Sequence, residues 1–167
     1  MSARGHASGY STMMVLMDEK AGDLFSRHAT ELTRFATGLV GPSQAADVVA
    51  DAMARLMTSR VWGEAVNPRA LMFRAVLFEA RMFHRSQRRR LSREARASQR
   101  EAFEMQEIEP EVAAAVARLS PQQRAVVFLT YWDDLDARMV AELIGVTEGT
   151  VRKQLGRARD RLREVLR

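Results

Sequence analysis

Apolar residues recur at three- and four-residue spacing along almost the whole chain, which is the spacing of one face of an α-helix. Between residues 45 and 57 this pattern is nearly unbroken. Its apolar positions are Ala45, Val48, Val49, Ala52, Met53, Leu56 and Met57. Period-two alternation is scarce, and no Asn-Gly or Asp-Gly hairpin turn occurs. The pattern predicts an all-α protein.

Three helices are predicted in the N-terminal half. The first ends at Gly41-Pro42, the second starts after Ser43 as its cap, and Asn67-Pro68 starts the third. The predicted helices cover residues 21–39, 44–58 and about 69–88, with a loop at 59–66 that carries Trp62. Residues 1–20, rich in Gly, Ser and Ala, are predicted to form a flexible tail.

The C-terminal part has the pattern of a helix-turn-helix. Asp136 can cap a helix that buries Met139, Val140 and Leu143, Gly145 allows a sharp turn, and Thr147 caps a second helix from Glu148. Two earlier helices are predicted at residues 112–119 and 122–132, with Ser120-Pro121 between them. The last helix has a cationic face, which suits binding in a DNA groove. The alternative is that this basic face is only solvated and binds nothing.

Charge divides the chain further. The net charge is +5, and residues 81–100 contain eight arginines and one glutamate. Residues 101–111 then contain five glutamates and no basic residue. This change of sign predicts a flexible charged linker at 91–110, between small helical domains at 21–90 and 111–167.

The third helix combines arginines with an aromatic residue. Arg74, Arg81, Arg85 and Arg88 accompany Phe78, and such a surface can neutralise phosphates and stack on unpaired bases. The alternative is a solvated basic face with Phe78 buried. From these residues alone the two interpretations are equally good.

Several functional classes are disfavoured. The chain has no cysteine, which excludes disulfides and cysteine-based zinc sites. Motifs for phosphate loops, nucleophile elbows and His-Glu metal sites are absent, and Asp133, Asp134 and Asp136 are explained by turns and caps. The longest apolar run near the N-terminus is too short for a signal peptide or a membrane span. We expect a cytoplasmic protein that is no enzyme, needs no cofactor or metal and does not insert into a membrane.

Three segments, in their order along the chain, resemble the ECF-type (extracytoplasmic-function) sigma factors of bacterial RNA polymerase. They are NPRALMFRAV at 67–76, LSPQQRAVVFLTYWDDL at 119–135 and AELIGVTEGTVRKQLGRARDRLR at 141–163. Residues 24–90 are similar to the family's region 2 and 112–166 to its region 4, so the resemblance covers nearly the whole chain.

This resemblance implies a sigma factor that binds core RNA polymerase and directs promoter-specific initiation. The second helix would bind the polymerase clamp through a face bearing Asp47, Asp51 and Arg55. Region 2 would open the minus-10 element and hold its non-template strand, with contacts at Trp62, Asn67, Arg74, Phe78, Arg81, Arg85 and Arg88. Region 4 would read the minus-35 duplex through Thr147, Glu148, Gly149, Thr150, Arg152, Lys153, Gln154 and Arg157. The resemblance also implies an anti-sigma factor as a partner.

Rival interpretations remain open from the sequence. A free-standing helix-turn-helix regulator would commonly dimerise, and this chain has no coiled-coil heptads or effector domain. A helical adaptor that binds only proteins would not explain why the chain has two basic surfaces in separate domains, one suited to a DNA groove and one to a single strand.

Overall fold

A computed structural model describes the backbone of residues 7–94 and 110–165, with side chains described for 21–90 and 111–164. Every regular element in these ranges is an α-helix, so the predicted fold class is confirmed. The helices are α1 Ala7–Val40, α2 Pro42–Met57, α3 Arg60–Gly63, α4 Pro68–Glu94, α5 Pro110–Ala117, α6 Pro121–Tyr131, α7 Ala137–Ile144 and α8 Glu148–Val165. Most of the predicted linker at 91–110 lies outside the described residues.

Two helix starts differ from the prediction. Residues 7–20, assigned above to a flexible tail, belong to α1, since Met and Leu in this stretch favour helix and no proline interrupts it. Helix α2 begins at Pro42 rather than after a Ser43 cap. Gly41 is the N-cap, with a φ of 89°, and makes no side-chain cap bond. The ring of proline fixes φ near the helical value, so Pro42 suits the first helical position and determines where α2 starts.

Other predicted caps are confirmed. The Ala70 amide donates to Asn67 Oδ1 over 3.0 Å at the start of α4. Ser120 forms a reciprocal capping box with Gln123 at the start of α6. These bonds satisfy amide groups that the first helical turn leaves without an internal acceptor.

Helices α7 and α8 form the predicted helix-turn-helix. Asp136 Oδ1 accepts from the Met139 amide over 2.8 Å, and Gly145 ends α7 in the left-handed conformation with a φ of 70°. Thr147 Oγ1 then accepts from the Thr150 amide over 3.2 Å. Met139 is 44% exposed, which contradicts its predicted burial because α7 turns only its Val140 side toward the core.

One hydrophobic core joins the two halves of the described structure. The Phe35 ring of α1 lies 4.9 Å from the Phe73 ring of α4 and 6.1 Å from the Phe128 ring of α6, between centroids. Helix α7 also packs on α4. The boundaries of the two predicted domains stay a prediction, since the core itself runs continuously from one group of helices to the other.

Candidate nucleic-acid interface

Six residues predicted to contact the minus-10 strand form one exposed stripe along α4. The first directly precedes the helix, and the others follow it at successive separations of seven, four, three, four and three residues, so all six lie on one face. The members are Asn67, Arg74, Phe78, Arg81, Arg85 and Arg88, which we call the α4 stripe. Phe78 is 53% exposed, so the alternative in which its ring is buried is excluded. Met82 is also exposed, at 37%.

Helix α7 covers the N-terminal end of the α4 stripe. Asn67 Nδ2 donates to Glu142 Oε1 over 3.0 Å, and Arg74 Nη2 donates to the Glu142 carbonyl oxygen over 2.8 Å. An ideal Cβ on Gly145 would lie 2.7 Å from Arg74 Nε, so the two helices approach closely here. Two predicted minus-10 residues are thus bonded to the helix-turn-helix.

The other end of the stripe borders an open cationic cleft. Arg88 of α4 lines it together with Arg118, Arg161 and Glu164 from the C-terminal helices. Midway along the stripe, burial lowers the pKa of Arg81. The stripe therefore carries arginines from Arg74 to Arg88, is bonded to α7 at one end and borders a cleft shared with the C-terminal helices at the other.

Trp62 differs from the other predicted minus-10 residues. It lies in the short helix α3, and its half-buried side chain packs against the hydrophobic core. Its indole ring offers less free surface than the Phe78 ring. On α4 itself, Phe78 is the exposed aromatic residue of the stripe.

Helix α8 presents a polar face opposite its buried side. Val151 and Ala158 are fully buried, which fixes the orientation of the helix. Of the predicted groove contacts, five are exposed (Thr147, Gly149, Arg152, Lys153 and Arg157) and three are half-buried (Glu148, Thr150 and Gln154). Nothing lies within 4 Å of an ideal Cβ on Gly149 or Gly156, so the backbone of this face is open to a close approach.

A carboxylate accompanies the cations of α8. Glu148 Oε1 accepts from Arg152 Nη2 one turn later, as an ion pair within the helix. The Thr147 and Thr150 hydroxyl oxygens lie 2.9 Å apart at the same helix start. The first turn of α8 therefore carries both hydrogen-bonding and charged groups.

The predicted polymerase-binding face of α2 is exposed. Asp47, Asp51 and Arg55 all point away from the core. Arg55 Nη1 lies 3.3 Å from Oε1 of Glu79, a carboxylate of α4 that is only 6% exposed. Arg55 consequently has a structural partner that spacing within α2 could not reveal.

Sequence reasoning missed a buried cation between the two halves. Arg124 is 5% exposed, and it donates from Nη1 to the Leu39 carbonyl oxygen over 2.7 Å. Burial, and secondarily Arg88, lower its pKa to about 10. The only sequence signal was an arginine in the apolar run of α6, which is ambiguous because many helical arginines are solvated.

A metal site and a membrane-spanning helix are both absent from the part of the chain that the structure describes. Among these residues no group of three or more His, Asp or Glu side chains is arranged to hold a metal ion. No helix there is both long and apolar enough to cross a membrane.

Comparison with known proteins identifies the C-terminal helices. The family model for sigma-70 region 4 matches residues 110–162. RNA polymerase sigma-E factor of Streptomyces antibioticus is 42% identical over 52 residues, which are 31% of this chain and 29% of that protein. ECF RNA polymerase sigma factor RpoE of Cereibacter sphaeroides is 35% identical over 66 residues, or 40% of this chain and 36% of that protein. The matches to these relatives thus span about a third of their length.

Solved structures extend the likeness in fold to most of the chain. The sigma factor RpoE of Bartonella quintana, in complex with the anti-sigma factor NepR, has a TM-score of 0.64 at 21% identity, over 87% of this chain and 95% of that one. CnrH, in complex with the cytosolic domain of CnrY, has a TM-score of 0.58 at 23% identity, over 92% of this chain and 96% of that one.

Proposed function

We propose, from the premise that this chain belongs to the ECF-type sigma factors, that it binds core RNA polymerase and directs it to promoters through minus-10 and minus-35 elements. The observation that carries this proposal is the presence of two different cationic surfaces in one short chain. One is a stripe with an exposed aromatic ring, and the other is a helix-turn-helix face.

The α4 stripe has the chemistry of a single-strand site. Guanidinium groups neutralise phosphates without regard to sequence, and an exposed phenylalanine face can stack on an unpaired base. We propose that Phe78 stacks on a non-template base of the minus-10 element while Arg74, Arg81, Arg85 and Arg88 follow the backbone. Asn67 supplies an amide that can bond a phosphate or a base edge, and Trp62 supports the strand from the preceding helix α3.

The exposed face of α8 has the chemistry of a major-groove reader. Arg152, Lys153 and Arg157 can contact guanine edges or phosphates, and Gly149 and Gly156 let the helix backbone approach the groove. At the helix start, the carboxylate of Glu148 can accept from a cytosine amino group. The two threonines and Gln154 add further hydrogen-bonding groups at this face.

We assign the exposed face of α2 to the polymerase. Its Asp47, Asp51 and Arg55 form a mixed-charge surface on a regular helix, which suits docking on another helix. An anti-sigma factor is a further proposed partner, because one similar solved structure is a sigma factor in complex with an anti-sigma factor, and another is a complex with a cytosolic protein domain. All these partners require a protein located in the cytoplasm.

The test is initiation in vitro. Purified protein is mixed with core RNA polymerase and genomic DNA, and transcript starts are mapped. We expect starts at defined sites whose upstream sequences share two elements. A variant with Asp47→Asn and Asp51→Asn should lose comigration with core polymerase but keep its helical circular dichroism. Specific duplex binding without any polymerase binding would instead support the free-standing regulator.

A further inference from the structure

We propose that the cleft at the C-terminal end of α4 binds a chain of phosphate groups, either free or carried by a nucleotide. Guanidinium groups from three separate parts of the chain surround this cleft. Arg88 comes from α4, Arg118 directly follows α5, and Arg161 comes from α8. Among the described residues, Glu164 of α8 is the one carboxylate that lines it. The cleft shares no residue with the proposed groove-reading face of α8.

The three arginines of the cleft are not neutralised within the described part of the chain. None of them forms an ion pair there. Other arginines of α8 do have such partners, since Arg152 is paired with Glu148 and Arg163 with Asp160. Like charges that converge on one space repel each other, and a bound anion removes this cost. The cleft therefore favours a ligand with several negative charges.

A further positive charge lies directly behind the cleft. Arg124 donates to the carbonyl oxygens of Ala117 over 2.6 Å and of Leu119 over 3.2 Å, the two residues that flank Arg118 in the chain. Burial lowers the pKa of Arg124 to about 10, and the charge of Arg88 contributes to this shift. The guanidinium groups of the cleft thus lie beside a buried cation, which strengthens the attraction for an anion.

The lining of the cleft selects for charge rather than for apolar surface. All four of its described side chains are charged, and none is aromatic. Its volume of about 620 Å³ is within the range of roughly 300–1,000 Å³ that small-molecule sites have. A guanidinium group can donate two parallel hydrogen bonds to a phosphate. A phosphate chain can engage several of these arginines at once, whereas a single phosphate has fewer oxygens to share among them.

Arg88 gives the site a consequence for nucleic-acid binding. It belongs both to the cleft and to the α4 stripe, so a bound phosphate chain and a DNA strand would compete for it. This consequence rests on the function proposed above, under which an occupied cleft would weaken strand binding at this end of the stripe. The site itself is independent of that function, and its test uses neither DNA nor polymerase.

Calorimetric titration of the full-length protein with inorganic tripolyphosphate, without divalent cations, tests the site. We expect Arg118→Gln and Arg161→Gln each to weaken binding about three- to tenfold, since each removes charge-assisted hydrogen bonds. Arg138→Gln removes the same charge from an exposed position of α7 and should leave the affinity within about a factor of two. Glu164→Gln removes the carboxylate of the cleft and should tighten binding about two- to fivefold, whereas Glu111→Gln at an exposed position of α5 should not.

Related anions identify the group that is bound. Orthophosphate and citrate should bind at least about tenfold more weakly than tripolyphosphate, because neither concentrates as much charge along one chain. Adenosine triphosphate distinguishes the two sources of the phosphate chain. An affinity equal to that of tripolyphosphate assigns recognition to the phosphates alone, whereas tighter binding that Arg118→Gln still weakens assigns the cleft to a nucleotide.

The titration of His84 is a second readout that locates the anion. Burial holds the pKa of His84 below 6.5, and the charges of Arg124 and Arg88 lower it further. A saturating phosphate chain should offset the effect of Arg88, so the nuclear magnetic resonance signal of His84 should titrate at higher pH. The signal of His28 on α1 should not respond to the anion.

Several results would overturn the proposal. They are the absence of tripolyphosphate binding, equal binding of orthophosphate or citrate, and an unchanged titration of His84 in the saturated protein. An affinity that falls as much in Arg138→Gln as in Arg118→Gln would also overturn it, because it would show attraction to the net charge alone. Failure of the sigma-factor proposal would be distinct, since it would appear as missing promoter-specific starts with polymerase present.

Discussion

Nη1 of Arg124 donates to the carbonyl oxygen of Leu39 over 2.7 Å, so α6 is bonded directly to the last turn of α1. The same guanidinium donates from Nη2 to the Ala117 carbonyl over 2.6 Å and from Nε to the Leu119 carbonyl over 3.2 Å. Only arginine offers several donors in a rigid planar fork. One buried side chain therefore ties together the C-terminal ends of α1 and α5.

His84 beside Arg124 predicts a pH dependence of stability. Burial, together with the charges of Arg124 and Arg88, holds the pKa of His84 below its usual 6.5, although its bond to the Leu39 carbonyl opposes this. Between the two pKa values the unfolded chain binds more protons. Neutral His84 should therefore make its full contribution to the free energy of unfolding above about pH 6.5. This contribution should be lost as the pH falls below that value.

Denaturant titrations at about pH 7.5 and pH 5.5 check this dependence. His84→Gln keeps an N–H donor and removes the titration, so its loss of stability on acidification should be smaller than that of the wild type. An equal loss in both proteins would assign the pH dependence to other groups.

The ion pair between Arg55 and Glu79 predicts non-additive stability effects. Arg55→Gln leaves a nearly buried carboxylate without this partner and should cost about 1–3 kcal/mol of unfolding free energy. Adding Glu79→Gln should recover part of that loss. A double-mutant cycle by thermal unfolding measures the coupling, and purely additive losses would contradict it.

The same cycle separates stability from partner binding. The double variant lacks the exposed Arg55 charge on α2, so recovery of stability should not bring back full affinity for core polymerase. If polymerase affinity instead follows stability in all three variants, Arg55 acts only through the fold.

We predict that loss of the Phe78 ring impairs only the binding of the single-stranded part of the promoter. Phe78→Ala should weaken open-complex formation by about 1–3 kcal/mol through the loss of base stacking. It should leave the melting temperature nearly unchanged, because the ring is 53% exposed. Permanganate footprinting of the melted element measures the effect. Phe78→Tyr retains an aromatic face and should behave like the wild type, whereas equal defects in both variants would exclude stacking.

Arg157 predicts a change in sequence preference at the upstream element. If it contacts a base edge, Arg157→Ala should cost about 1–3 kcal/mol on the preferred sequence and relax selection at one position. A phosphate contact would instead weaken all sequences alike and lower the salt slope by about one. Competition assays with polymerase and promoter variants distinguish these results, with exposed Arg163→Ala as the control. No effect in either assay would remove Arg157 from the interface.

The local structure could largely be predicted from sequence, because its signals lie within a few residues. Asp136, Gly145 and Thr147 act on their own helix ends, and all three behave as predicted. Ser43 failed as a cap because Pro42 suits the first helical position, so α2 starts two residues earlier than predicted, with Gly41 as its N-cap.

Contacts between distant residues could not be predicted in this way. Arg124 and Leu39 are 85 residues apart, and Asn67 and Glu142 are 75 apart. Periodicity assigns a residue to a helix face but does not say which helix that face meets. For the same reason, spacing could place Phe78 on the stripe but could not decide between an exposed and a buried ring.

The ion pair between Glu148 and Arg152 would have a consequence for the search along a chromosome, given the groove-reading role proposed for α8. A phosphate that takes the guanidinium group from Glu148 would leave that carboxylate unpaired, and this cost would be the same on every DNA sequence. A site that bonds both side chains would recover it. The pair would thereby weaken binding to the vast excess of ordinary DNA more than binding to a matching site, and raise the ratio between the two.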